Sequence, residues 1–538
     1  MAEPGRGQFD HDLIGPGWVE SDFFDLPLLA DTPQDRGVRL HVQNLHLGSP
    51  IVFMSGVCGA SPLRGVFAAF IETATSRNTD LGIGKLARRG EVSGVTATYR
   101  RLLGRRSCTS AITTMGMVMA LTDEGVRTDL NKLAFWDRPR AEHHQTFKWL
   151  RENRPISWND APEALDPNLD NAKGFWSVVK HHDIQEVSRN PQVFSSAQGV
   201  FIDDFPQLET MLSFIVTDPP RHTEMRNIVN VAFAPRNINR MVDQINGLVA
   251  KIIDNVAPLG EGDLCELITK EVPGRVFANF MGIHDPDHIQ YVMDAAEQFA
   301  GWADPEWAHI GSPLMVFADA SSKLSTLALE LAKDRKQNPG EDLLTWVAQA
   351  EYEGHKLTTE EVGVFFALLA AGANDTTRHA MAHVVTLFQR NPDQLAYLMQ
   401  DFDGRADDAV NESLRMEPPL MHFRRTALRD YELGDVTIKE GDKVVMWYIS
   451  GNRDEDVFEN PDTFDISRTQ KHNPHQAFGG GGPHYCIGHA LGKAVLKAQM
   501  RQVYMRMKNL QAGEPELLRS NFMNGVKRLP ATWTPERR

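Results

Sequence analysis

One cysteine, Cys486, stands near the end of a glycine-rich stretch, FGGGGPHYCIG (residues 478–488), and an apolar helical pattern follows it. Four successive glycines, Gly479 to Gly482, allow close approaches that a Cβ would block. Their amides can point at whatever Cys486 holds. Amides aimed at a sulfur favour the thiolate, as does the positive end of a helix that begins there. A lone activated cysteine is a nucleophile or a metal ligand. A nucleophile wants a histidine base; His484 and His489 are near, but that chemistry has no need of four glycines. No Gly-Lys-Ser/Thr follows, which excludes a phosphate loop. An iron–sulfur cluster takes about four thiolates, and the only cysteines are Cys58, Cys108, Cys265 and Cys486. Zinc needs two or three more ligands at set spacing. A single axial thiolate on a haem iron remains.

Three further stretches carry chemistry. In TDPPRHTEMRNIVNVAFAP (residues 217–235), the two prolines suit a first helical turn and Asp218 suits a cap. His222 and Arg226 are four apart, share a helix face, and can hold an anionic group. In residues 357–388, Thr358 and Glu361 form a capping box. The apolar helix that follows is interrupted by Gly372-Ala373-Asn374-Asp375-Thr376-Thr377. Buried polar groups must be hydrogen-bonded, and a threonine bonding back to a carbonyl often bends a helix and opens room beside it. In VNESLRMEPPLMHFRRTA (residues 410–427), Glu412 and Arg415 are three apart and can pair; alone, such a pair is common and is usually a surface contact.

Together these stretches resemble the cytochrome P450 family, whose cysteine loop reads Phe-Gly-x-Gly-x-His/Arg-x-Cys-x-Gly. Gly480, Gly482, His484, Cys486 and Gly488 stand at matching offsets, with Phe478 one residue further out. That variant is similar to the branch containing actinobacterial steroid side-chain hydroxylases. The resemblance implies a mainly α fold with small β-sheets, and heme b between the oxygen-groove helix and the cysteine-loop helix. It implies Cys486 as axial ligand, with Phe478, Gly480 and Gly488 around the cofactor. His222 and Arg226 would bind one haem propionate, shared by His484, and Arg425 the other. Thr376 would order the water that protonates bound oxygen, and Asp375 would relay protons from solvent. Ala373 stands where the family's groove usually has glycine; it is still small, so the groove is kept. Glu412 and Arg415 would be buried and joined by a second arginine. Its usual site, before Phe464, holds Thr463, so Arg468 is the candidate.

The implied activity is a haem-thiolate monooxygenase inserting one atom of O2 into a C–H bond of a hydrophobic substrate. The four-glycine loop, NDTTRH and FMNGVKRLP point to a steroid side chain, branched lipid or terpenoid. A fatty acid or alkane is the alternative, as is a haem-binding sensor without turnover, against which Asp375 and Thr376 speak. The segment ahead of the resemblance is too short for a flavin reductase and lacks G-x-G-x-x-G after a strand. Electrons would therefore come from a separate ferredoxin and its NAD(P)H-dependent ferredoxin reductase.

The elements that must position these residues fill most of the chain. Residues 136–155 carry helical spacing, and residues 174–196 read as strand, helix and turn. Residues 237–333 are mostly amphipathic helix, with an aromatic-bearing part (299–317) where the family keeps its substrate lid. Residues 430–447 alternate as strands, an irregular meander leads to the cysteine loop, and the tail is a hairpin. The resemblance begins near Thr128. At 538 residues the chain exceeds one small core, and its division is expected at residue 120, with the haem domain over 121–538. Residues 77–106 hold eight basic residues against Asp80 and Glu91. A basic arm or small extra domain is one reading of residues 1–120. The favoured reading is a disordered tail, or upstream sequence ahead of a start at Met115, Met117 or Met119. The net charge of −15 argues against a nucleic-acid partner. Scattered cysteines fit a reducing cytoplasm. No window has the 18 or so apolar residues of a membrane span, and Met1 opens no signal peptide, as in soluble bacterial members.

Overall fold

The computed structural model describes residues 129–164, 166, 171–205, 214–233 and 235–537, together with two upstream strands. Those strands, β1 (Arg39–Gln43) and β2 (Ile51–Ser55), pair antiparallel. The chain divides into two compact units, Met1–Gly125 and Val126–Arg538. Apart from β1 and β2, residues 1–120 lie outside the described residues, and so does the reading of them as an extension.

The second unit is mainly helical. After a 3-10 turn (Asp129–Asn131) and a one-turn helix (Leu133–Trp136) come α1 (Arg140–Asn153), β3 (Ile156–Asn159), β4 (Phe175–Val178), α2 (His181–Arg189) and β5 (Phe194–Ser195). Next come α3 (Arg221–Ala232), α4 (Pro235–Val256), β6 (Glu261–Asp263) and a π-helical turn, Cys265–Thr269. Four helices follow: α5 (Glu271–Phe280), α6 (Pro286–Ala300), α7 (Pro313–Gln337) and α8 (Leu343–Gln349). Asp285 starts α6 by accepting from the amides of Asp287 and His288 at 2.8 and 3.2 Å, with Pro286 at the first helical position.

Among the described residues the longest element is α9 (Thr359–Arg390), 32 residues, or about 48 Å at 1.5 Å per residue. Its start is the capping box: Thr358 Oγ1 accepts from the Glu361 amide at 3.1 Å, and Glu361 Oε2 from the Thr358 amide at 2.8 Å. From Ala380 to Phe388 every residue is buried, as expected of a helix with neighbours on all sides. α9 packs against α5, α6, α7 and α12 (His489–Arg506), and one large apolar core surrounds it. Between them in sequence lie α10 (Pro392–Gln400) and α11 (Phe402–Met416).

The remaining strands are short: β7 (His422–Ala427), β8 (Tyr431–Leu433), β9 (Val436–Ile438) and β10 (Lys443–Trp447), then β11 (Gln511–Ala512), β12 (Glu516–Leu517), β13 (Val526–Arg528) and β14 (Pro530–Thr532). The main sheet runs β3-β4-β10-β7-β5, with β10 central, parallel to β4 and antiparallel to β7. All five residues of β10 are buried, so its apolar run has no alternation. β12 and β13 form the expected hairpin, and β14 closes on β6.

Candidate active site

The cysteine loop takes its shape from α2. Gly479, Gly481 and Gly482 have φ of 103°, 94° and 77°, the left-handed region that glycine enters freely. A Cβ on Gly482 would lie 2.4 Å from the Ser188 carbonyl oxygen, and one on Gly480 3.0 Å from Ser188 Cβ. Ser188 Oγ donates to the Gly481 carbonyl at 2.8 Å. The glycines thus seat the loop on α2. Contrary to the expectation from the sequence, the amides at the sulfur come not from these glycines but from Gly488 and His489, where α12 begins. Burial pushes the Cys486 thiol up, and these amides and the Arg226 charge oppose it. The Cys486 amide donates to the Phe478 carbonyl at 3.0 Å. Neither neighbouring imidazole bonds the sulfur: the His489 ring engages the Cys486 carbonyl at 3.0 Å and the His484 ring engages Ser196 Oγ at 3.2 Å. A histidine-activated nucleophile has no geometry here.

Cys486 opens on a partly open cavity of about 330 Å³. His222, Arg226, Arg425 and His484 line it, as do Phe478 and Gly488. The His222 and His484 rings lie 4.0 Å apart. Burial and the nearby arginines push both imidazoles well down, His222 to about 4, so both are neutral. His222 Nδ1 is buried without a hydrogen-bond partner. Arg425, on β7, is buried and reaches only the Arg424 carbonyl, at 2.7 Å. Neither Arg226 nor Arg425 has a carboxylate ion pair among the described residues. Two guanidinium groups without a carboxylate partner, Arg425 buried and Arg226 half-buried, beside an orphaned imidazole, fit a cofactor that carries carboxylates.

Asp218 does not cap α3. Its carboxylate accepts from the Ser196 amide at 2.8 Å and from the Ser195 hydroxyl, and Pro220 precedes α3 without a side-chain cap. That use was illegible because the partners lie 22 and 23 residues upstream.

Opposite the loop, α9 presents Gly372, Ala373, Thr376 and Thr377 to the same cavity. A Cβ on Gly372 would meet nothing within 4 Å, so the groove has room. Thr376 Oγ1 donates to the Gly372 carbonyl at 2.7 Å and Asn374 Nδ2 to the Ala370 carbonyl at 2.7 Å; α9 runs unbroken through both. Asp375 is buried but does not line the cavity.

Glu412 and Arg415 have no side-chain exposure and pair in a bidentate contact at 2.7 and 2.8 Å. Arg415 also donates to the carbonyls of Asn452, Pro461 and Thr463 at 2.9, 2.7 and 3.0 Å. Arg468 Nε lies 3.4 Å from Glu412 Oε2, an ion pair without hydrogen-bond geometry. Sequence reasoning missed Asn473, which donates to Glu412 Oε2 at 3.0 Å from 61 residues away.

A family model described as Cytochrome P450 matches residues 172–508. The chain belongs to the cytochrome P450 family. Membership makes haem its expected cofactor and monooxygenation its class of reaction. A steroid C26-monooxygenase of Mycolicibacterium smegmatis is 37% identical over 393 residues, 72% of this chain and 89% of that protein. A methyl-branched lipid omega-hydroxylase of Mycobacterium tuberculosis is 36% identical over 413 residues, covering 76% and 94%. A solved Mycobacterium marinum cytochrome P450 in complex with pseudoionone is 38% identical, with a TM-score of 0.70 over 75% of this P450 and 97% of that chain. Among the described residues, no helix of this P450 is long and apolar enough to cross a membrane.

Proposed function

We propose that Cys486 is the axial thiolate of a bound haem and that this P450 hydroxylates a terminal carbon of a steroid side chain or methyl-branched lipid. The observation that carries the reading is the gathering of two unpaired arginines and two neutral histidines around the cavity that Cys486 opens on. His222, Arg226 and His484 hold one propionate, and Arg425 the other. When bound, a thiolate-ligated haem supplies O2 activation, because the thiolate pushes electron density toward O–O cleavage.

The chain's own residues do the rest. Gly372 and Ala373 keep the α9 side open. Thr376 has already placed its hydroxyl hydrogen on the Gly372 carbonyl, so its oxygen is free to accept from a water and fix it in the cavity. Leu368, Leu369, Leu420 and Phe423 make an apolar wall that takes a hydrocarbon substrate and excludes bulk water. Burial pushes the Asp375 carboxyl well up, which favours its protonated form next to Thr376. Electrons come from a separate ferredoxin and its NAD(P)H-dependent reductase.

The reduced, carbon monoxide-bound difference spectrum tests the ligand: a red-shifted Soret band is expected, and Cys486→Ala should abolish it. A blue-shifted band alone, or no haem signal after supplementation, overturns the assignment. A spectral shift on adding a sterol or methyl-branched lipid, with product formed when ferredoxin, reductase and NADH are present, tests the substrate. A shift with a linear fatty acid and none with either of those refutes that part.

A further inference from the structure

Asp375 is the buried acid that propionate and thiolate binding leave unexplained. Its Oδ2 has no hydrogen-bond partner, and within one turn of α9 two more buried atoms lack one, Asn374 Oδ1 and Arg378 Nε. The charges that face Asp375 come from three elements: Arg378 on α9, Glu297 on α6, and Lys270 between the π-helical turn and α5. Arg378 stands three residues beyond Asp375, where a helix readily pairs acid with base. It is turned instead to Glu297, Nη1 donating to Oε1 at 2.6 Å. Lys270 holds the other oxygen of Glu297 at 2.6 Å. Glu266 lies 3.9 Å from both Arg378 and Lys270, and Asp294 lies 3.4 Å from Lys270. Cys265 and His379 lie within electrostatic reach of Arg378.

Two carboxylates therefore compete for one arginine, and Glu297 has it. Burial pushes Asp375 well above the carboxylate range; Glu297 is only half-buried, and against that burial Arg378 and Lys270 hold it below its ordinary value. An unpaired carboxylate at that depth is costly, and taking a proton relieves the cost.

We propose that Glu297 is a positioning residue for proton supply: by holding Arg378 away from Asp375, it keeps the Asp375 carboxyl neutral and proton-carrying beside Thr376. The inference rests on the monooxygenase reading above. When Asp375 yields its proton toward the Thr376 side, the new carboxylate draws Arg378 across, while Lys270 keeps Glu297 paired. One proton taken up from solvent restores the neutral acid and returns Arg378 to Glu297, so charge balances over the cycle.

Infrared difference spectra of the haem-loaded enzyme across a pH titration test this, through the C=O band of a protonated carboxylic acid. A band at neutral pH that Asp375→Asn removes is expected. In Glu297→Gln the band should be lost at that pH, its midpoint moved to lower pH, a proton concentration on the order of tenfold or more higher, as Arg378 pairs with Asp375. Glu297→Asp should restore it in part. Arg378→Met, which removes the contested cation, should move the midpoint up and serves equally if Glu297→Gln fails to fold. In turnover, Glu297→Gln should shift the pH profile of kcat with KM unchanged. A band whose midpoint stays put in these variants, or no band that Asp375→Asn removes, overturns the proposal. The carbon monoxide difference spectrum separates the two readings: if it lacks the thiolate signature, the haem-thiolate reading has failed, and if the signature is intact with the band unmoved, only this inference has.

Discussion

Glu412→Gln removes one charge and almost no volume from the most deeply buried ion pair described here. Glu412 accepts two hydrogen bonds from Arg415, at 2.7 and 2.8 Å, one from Asn473 and one from the Asp465 amide, each at 3.0 Å. The amide keeps the shape but turns one acceptor into a donor facing a donor. It also leaves the Arg415 guanidinium, with no side-chain exposure, without a counter-charge. Breaking a buried pair from one side costs about 3–5 kcal/mol, against a net stability of about 5–15 kcal/mol for a folded domain. Arg468→Ala is the internal standard. Arg468 reaches Glu412 only at 3.4 Å without hydrogen-bond geometry, and its own bond goes to the Glu459 carbonyl at 2.9 Å. Its loss should cost about 1 kcal/mol. Urea unfolding of the haem-loaded protein, followed by far-ultraviolet circular dichroism and Soret absorbance, reads both midpoints. Equal losses for the two variants, or less than about 1 kcal/mol for Glu412→Gln, would refute ranking these contacts by burial and geometry.

Gly482→Ala should lower haem occupancy after purification, because the new Cβ meets the Ser188 carbonyl oxygen at 2.4 Å at a φ of +77°; full occupancy by Soret absorbance would contradict the seating of the loop on α2. Burial, then Arg226 and Arg425, depress His222 from 6.5 to about 4, and His484 is depressed in the same sense. Such imidazoles are neutral in the fold and charged in the unfolded chain, so the haem-free protein should lose stability as pH falls from 6.5 toward about 4. Denaturation midpoints against pH should show this slope, reduced in His222→Asn. Thr376→Val should keep the substrate-binding spectral shift but release peroxide in place of product, read as NADH consumed per product formed. Asp285→Ala, which removes the acceptor for the Asp287 and His288 amides, should cost about 1 kcal/mol of stability with the carbon monoxide spectrum unchanged.

What was legible in the sequence is what helix geometry or chain neighbourhood makes local. Thr358 with Glu361, and Glu412 with Arg415, are three apart, a spacing at which helix side chains meet. The back-bond of Thr376 to the carbonyl of Gly372 is local in the same way. Contacts between distant segments carry no such periodicity. Glu297 meets Arg378 across 81 residues, and in sequence the arginine looks as though it belongs to Asp375. Asp218 resembled a cap because prolines and a helix follow it, yet the chain folds its carboxylate back onto Ser195 and Ser196. The glycine run read as a source of amides for the sulfur. Its glycines instead meet backbone and side chain on α2, a partner that no local pattern announces.

The bond from Ser188 to Gly481 spans 293 residues. The cradle of the cysteine loop is therefore made well before the loop itself. At roughly 5–20 residues per second, α2 waits on the order of half a minute before its partner leaves the ribosome. During that wait His222 and Arg226, and later the grooved face of α9, have no sulfur opposite them. With Cys486 as the haem ligand, ligation must wait for the last of these residues to be made.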